Sequence, residues 1–170
     1  MSRTFAVVAP GTRLAWMLPG VSLLAGVVGI ALAMRETPIA TLALLPLALG
    51  AVLVGVTLTR RRVELENGEL RIAAGLNSRR IDVSKLQLDQ AAIIDLTKRR
   101  ELRPFWRTFG TGLPGYRAGH YRLRNGTRAF VLVTDTRRVL ALPEQDGRMV
   151  LLSLAQPQAL LDAIAGRTAR

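Results

Sequence analysis

The sequence predicts a two-part protein: an α-helical membrane hairpin, then a β-rich domain of about seven short antiparallel strands, forming a bent sheet or barrel and capped by one C-terminal helix. Three observations predict it. Two long apolar runs, neither holding a charged side chain, lie almost back to back between Leu14 and Thr59. Short segments that alternate apolar and polar residues follow, two of them turning at Asn67-Gly68 and Asn125-Gly126. After Pro157 the apolar spacing changes to that of a helix.

Residues 1–13 form a cytoplasmic N-terminal segment in this reading. Its apolar stretch Thr4 to Val8 is either an extended piece docked on the later domain or a disordered lead-in. Residues 14–34 are the first span, 35–37 a short external turn and 38–59 the second span. At ~1.5 Å rise per residue, a helix of about 20 residues covers the ~30 Å hydrocarbon core of a bilayer. Ala25, Gly29 and Ala33 share a face of the first helix, and Ala51 and Gly55 a face of the second, as close packing in lipid or a homodimer contact requires. Pro19 is tolerated near a helix start, whereas Pro46 should kink the second helix. With no ionisable residue inside either span, a transporter is a poor reading. Arg3 and Arg13 before the spans and Arg60, Arg61 and Arg62 after them place both termini in the cytoplasm. Ala31-Leu32-Ala33 resembles a signal cleavage site, but the run before it is long for a signal core and a second run follows. The expected location is the bacterial inner membrane, multi-pass.

The remainder, residues 60–170, suffices for one small domain. There is no cysteine, which excludes disulfides and thiolate metal sites, and the single His120 excludes a multi-histidine centre. The formal net charge is +12, from 24 Lys and Arg against 12 Asp and Glu. That balance suits anionic lipid or nucleic acid, and a membrane tether makes lipid the nearer polyanion. No nucleic-acid partner is expected.

Val63 to Glu66 and Glu69 to Ala73 alternate around Asn67-Gly68, a strong hairpin signal because a type I′ turn needs positive φ at both positions. Arg79 to Val83 reads as a third strand and Gln87 to Leu96 as a fourth. Thr97 to Gly119 does not alternate and is dense in arginine, aromatics and glycine, so it reads as a long loop that is either functional or an excursion at a binding edge. Strands resume at His120 to Leu123, Thr127 to Thr134, Arg138 to Leu142 and Met149 to Leu154. Pro157 suits a first helical turn, Ala159, Leu160, Ala163 and Ile164 share one face, and Gly166 should end the helix.

This order of strands and closing helix is the pleckstrin-homology (PH) layout, and particular residues carry a further resemblance. The stretch from Gly110-Thr111-Gly112-Leu113-Pro114-Gly115-Tyr116 to Leu123 resembles the glycine-rich signature of bacterial PH-like domains. Thr134-Asp135, Arg138 to Leu142, Ser153 and the Pro157 to Ile164 run resemble that family's later strands and closing helix. The resemblance covers most of residues 60–166, and members often carry a two-helix membrane hairpin ahead of the domain. It implies architecture and location, with no catalytic motif and no cofactor.

The sharpest candidate contact is Lys98, Arg99, Arg100, Arg103 and Arg107 interleaved with Phe105, Trp106 and Phe109. Cations beside exposed aromatics suit anionic lipid head groups or an acidic partner protein; the third reading is a solvated basic loop whose aromatics fill the core. The first hairpin carries Glu64, Glu66 and Glu69, so phosphoinositide specificity is not carried over from eukaryotic PH domains. Gly110, Gly112, Gly115 and Gly119 fit no phosphate-loop spacing and read as turn and bulge positions. His120 reads as a half-buried structural residue, the aspartates form no acid–base pair, and Ser78, Ser84 and Ser153 sit in no nucleophile context. The expectation is a membrane-anchored, non-catalytic binding or scaffold module with no metal. Its partners would be the bilayer, anionic head groups, another membrane protein or its own copies. The alternative is a structural subunit of a membrane complex, with the hairpin making the main contacts.

Overall fold

The computed structural model describes residues 3–9 and 60–168, with residues 20, 21, 24–29, 31, 46, 49, 50, 52, 53 and 55 between them. The first sheet has four strands in the order β1-β2-β3-β4, formed by Arg3–Phe5, Arg61–Glu66, Glu69–Ala74 and Asn77–Asp82. The β2–β3 hairpin turns at Asn67 and Gly68, whose φ values of 49° and 81° are those of the expected type I′ turn. Alternation sends Val63, Leu65, Leu70, Ile72 and Ala74 inward and leaves the glutamates outside. β1 pairs antiparallel with β2, Val7 bridges Leu154, and Thr134 Oγ1 donates to the Val8 carbonyl at 2.7 Å. The N-terminal stretch is therefore docked on the domain, which settles the choice the sequence left open.

The second sheet has six strands in the order β5-β9-β10-β8-β7-β6. They are β5 (Ala92–Ile94), β6 (Pro104–Leu113), β7 (Tyr116–Leu123), β8 (Arg128–Val133), β9 (Val139–Pro143) and β10 (Met149–Leu152). One pairing departs from the expected antiparallel pattern: β10 lies parallel to β8, with Met149 opposite Ala129 and Leu152 opposite Leu132. Such a neighbour cannot be reached by a tight hairpin, and β9 makes the intervening passage.

Both faces of this sheet are buried. Ala118, Phe130, Leu132, Leu140, Leu142, Val150 and Leu152 pack against the first sheet and the helix α1 (Pro157–Thr168) through its Leu160 and Ile164. Tyr121, Val131, Val133, Val139, Ala141 and Leu151 form a second core on the opposite face with Ile94 and Leu96. Each large apolar side chain fully buried this way contributes about 1.5–3 kcal/mol. Ser153, with no exposed surface, ties the end of β10 to the end of its neighbour β8. Its Oγ accepts from the Thr134 and Asp135 amides, both at 3.2 Å, and donates to the Asp135 carbonyl at 2.8 Å.

Several sequence expectations are corrected here. Thr97 to Gly119 is mostly strand, β6 and the first half of β7. Dense glycine and arginine hid the ladder, and two register shifts, at Pro104/Trp106 and Arg107/Phe109, broke its alternation. Gln87 to Leu96 is only partly extended, because a single 3₁₀ turn over Leu88–Gln90 precedes the short β5. α1 runs through Gly166 to Thr168, glycine inside a helix costing only about 1 kcal/mol relative to alanine.

The multi-pass inner-membrane location is also corrected. Among the described residues no helix is long and apolar enough to cross a membrane. Crossing needs an unbroken helix of about 20 residues, whereas α1, the longest described helix, has 12. Hydropathy reports the composition of a segment and leaves helix continuity undetermined. Most of the runs 14–34 and 38–59, the 35–37 turn, and the small-residue faces at Ala33 and Ala51 lie outside the described residues.

Candidate binding surfaces around strand β6

β6 ends the six-stranded sheet, paired with β7 on one side. The register shifts leave Phe105 and Thr108 without an opposite number on β7, so the strand twists and the alternation slips. As a result Phe105, Trp106 and Phe109 are each 67% exposed, which removes the reading in which they fill the core. Exposed aromatics on a sheet edge are unusual, because edges are commonly blunted by charge. Here arginines stand around them.

The strand divides the sequence candidates between two surfaces. On one side, Arg103, Phe105 and Arg107 meet Arg117 and Arg124 over two adjoining cavities of about 520 and 300 Å³. The Arg124 guanidinium lies 5.7 Å from the Phe105 ring centroid, within cation–π range. Arg117 Nη1 donates to the Pro104 carbonyl at 2.9 Å, which steadies the start of β6. Tyr121 donates its hydroxyl proton to the Thr111 carbonyl at 2.6 Å and ties the far end of β6 over the second core. Burial pushes the Tyr121 phenol above its usual pKa, against the opposing pull of Arg107 and Arg117, and keeps it a donor.

On the other side Trp106 and Phe109 wall a cleft of about 650 Å³ that also holds Arg79, His120, Arg122, Arg128 and Arg148. Arg79 Nη2 donates to Glu144 Oε2 at 2.7 Å, with side chains only 15% and 6% exposed. Burial raises the Glu144 carboxyl above its ordinary pKa, and Arg79 pulls the other way. The His120 ring meets Phe130 edge-on at 5.0 Å between centroids. Burial, then the charges of Arg79 and Arg148, hold its pKa below the usual histidine value. His120 is thus partly exposed at the cleft, with its ring packed on Phe130.

Lys98, Arg99 and Arg100 stand apart from Arg103 and Arg107, exposed on the turn and single 3₁₀ helix that precede β6. Asp95 builds that turn by accepting from the Thr97 amide at 2.7 Å and hydroxyl at 2.6 Å, bonds that lower its pKa. Arg79, Arg122, Arg128 and Arg148 were missed from the sequence. Arg122 and Arg128 were legible, because the Asn125-Gly126 hairpin sets them opposite one another. Arg79 and Arg148 come from distant strands. Among the described residues no three of His, Asp and Glu are placed to hold a metal ion.

The glycines serve close approach. Gly110 pairs with Gly119 in the β6–β7 ladder, and Gly115 turns the hairpin between them with φ 74°.

A family model described as Bacterial PH domain matches residues 61–168, from β2 to the end of α1. No curated protein and no solved structure matches the chain. PH domains are generally binding modules without catalytic activity. With that match over more than half its length, the chain belongs to the bacterial PH domain family.

Proposed function

We propose that this domain is a non-catalytic docking module that receives an acidic segment of a partner protein in the groove on the Phe105 side of β6. The observation that carries the reading is one exposed phenyl ring, Phe105, set among Arg103, Arg107, Arg117 and Arg124. Arginine and aromatic side chains, phenylalanine included, are enriched at protein interfaces. The chain's net charge of +12 draws acidic partners and speeds their encounter. Concavity favours a chain segment over the flat surface of a bilayer. Strand addition along β6 is disfavoured: two register shifts interrupt its first half, and Leu76 of the β3–β4 turn and Asn77 at the start of β4 line a common cavity with Phe109, Gly110 and Thr111. The structural-subunit alternative rests on the apolar runs 14–34 and 38–59, which lie mostly outside the described residues.

The test is a photoreactive amino acid in place of Phe105 in the full chain, irradiated in cells that produce it. A discrete protein adduct, lost when Arg103 and Arg107 are changed to glutamate, is the expected result. Labelled lipid without a protein adduct, or an adduct indifferent to the charge reversal, contradicts the reading.

A further inference from the structure

The cleft on the opposite side of β6 carries a second inference, which uses none of Arg103, Phe105 or Arg107. Arg122 on β7 is directly opposite Arg128 on β8. Arg148 and Arg128 immediately precede the paired residues Met149 and Ala129 of β10 and β8. Three guanidinium side chains therefore start from adjacent positions on three neighbouring strands, spaced by about 4.8 Å per strand. Like charges set directly opposite are destabilising in a sheet. Neither Arg122 nor Arg128 has an acidic partner among the described residues. Arg122 donates from Nε to the Gly126 carbonyl at 3.1 Å, and Arg148 meets Asp146 at 3.2 Å in a half-exposed pair. Arg79 is committed to Glu144. Fold stability alone does not account for such a row, and an oxyanion would neutralise it.

We propose that this cleft binds a small phosphate ester carrying a planar ring, a ligand of the nucleotide class. The arginine row supplies forked donors matched to phosphate oxygens. Trp106 and Phe109, exposed on the same wall, supply faces on which a ring can stack. A row three residues wide suits a phosphate better than a single carboxylate, and about 650 Å³ lies in the size range of small-molecule sites.

His120 is the sole histidine, so its ring proton is an unambiguous reporter inside the cleft. The full chain is titrated at fixed ionic strength with adenosine monophosphate, inorganic pyrophosphate or adenosine. Proton NMR follows His120, and fluorescence follows tryptophan. Adenosine monophosphate is expected to shift the His120 resonance and raise its pKa, since a bound anion offsets Arg79 and Arg148. Arg122→Gln with Arg128→Gln should weaken binding by about tenfold or more for each arginine that loses a charged contact. Arg137→Gln with Arg138→Gln, an equal charge change at exposed positions elsewhere, should leave binding unchanged. Trp106→Leu, at a position too exposed to endanger the fold, should weaken the nucleotide several-fold and leave pyrophosphate unaffected. Equal weakening by both arginine pairs would overturn the proposal in favour of non-specific attraction by a basic chain. Pyrophosphate binding as tightly as the nucleotide would overturn the ring, and no shift at His120 would overturn the site. A loss here leaves the Phe105 adduct untouched, so the two readings fail separately.

Discussion

Replacing Gly119 by alanine tests the close backbone approach of β6 and β7 at the Gly110–Gly119 pair. Gly119 has φ +117° and faces Gly110, whose φ is +135°. A Cβ on Gly119 would collide with the Phe109 carbonyl oxygen, lie 2.7 Å from Gly110 Cα and reach Asn77 Nδ2 at 3.0 Å. The first two obstacles are backbone and cannot rotate away. Holding an L-residue at such a φ costs about 1–3 kcal/mol, and overpacking adds about 1–3 kcal/mol. Gly119→Ala should therefore cost about 2–6 kcal/mol, a large share of the 5–15 kcal/mol that stabilises typical domains, roughly. Gly126 is the control, with φ +87° but nothing within 4 Å of an added Cβ. It carries only the backbone strain, about 1–3 kcal/mol. Urea unfolding of the full chain followed by far-ultraviolet circular dichroism gives both values. If Gly119→Ala unfolds at the same urea concentration as Gly126→Ala, the close approach is not present and the reasoning fails.

Three further outcomes are expected. Ser153→Ala should destabilise by about 1–3 kcal/mol, because it strips one buried hydroxyl from the Thr134 and Asp135 amides and the Asp135 carbonyl; urea midpoints measure it. Glu144→Ala should cost about 3 kcal/mol, at the low end for breaking a buried pair because Arg79 opens onto the cleft; Glu144→Gln, which can still accept from Arg79, should cost less. His120 has a depressed pKa in the folded state, so its contribution to stability is present above its ordinary value of 6.5 and lost as pH falls through the folded value. His120→Gln should flatten the fall in urea midpoint on acidification below pH 6.5, and an unchanged slope would contradict that assignment.

How much of this was legible before the structure depended on whether the signal was local. Asn67-Gly68 and its flanking alternation specify the first hairpin because a type I′ turn and a two-residue period are properties of adjacent residues. Pro157 with Leu160 and Ile164 specified α1 for the same reason, although Gly166 did not end it. The parallel partnership of β8 and β10 was not legible, since it depends on which strands the chain brings together after β9. β6 was misread because its two register shifts erase alternation, and those same shifts expose its aromatics. The basic–aromatic block was visible as composition. That Phe105 and Trp106 serve opposite surfaces could not be read from neighbouring positions. The cleft needed Arg79 and Arg148 from remote strands, and only its Arg122–Arg128 pair was encoded locally.

The most direct measurement is amide chemical-shift mapping of the isotopically labelled full chain on addition of a synthetic acidic peptide. Perturbations should concentrate at Arg103, Phe105, Arg107, Arg117 and Arg124 and leave the exposed Lys98–Arg100 turn and the His120 cleft little changed. Perturbations spread evenly over every exposed arginine, or centred on the Lys98–Arg100 turn, would contradict docking in the groove beside Phe105.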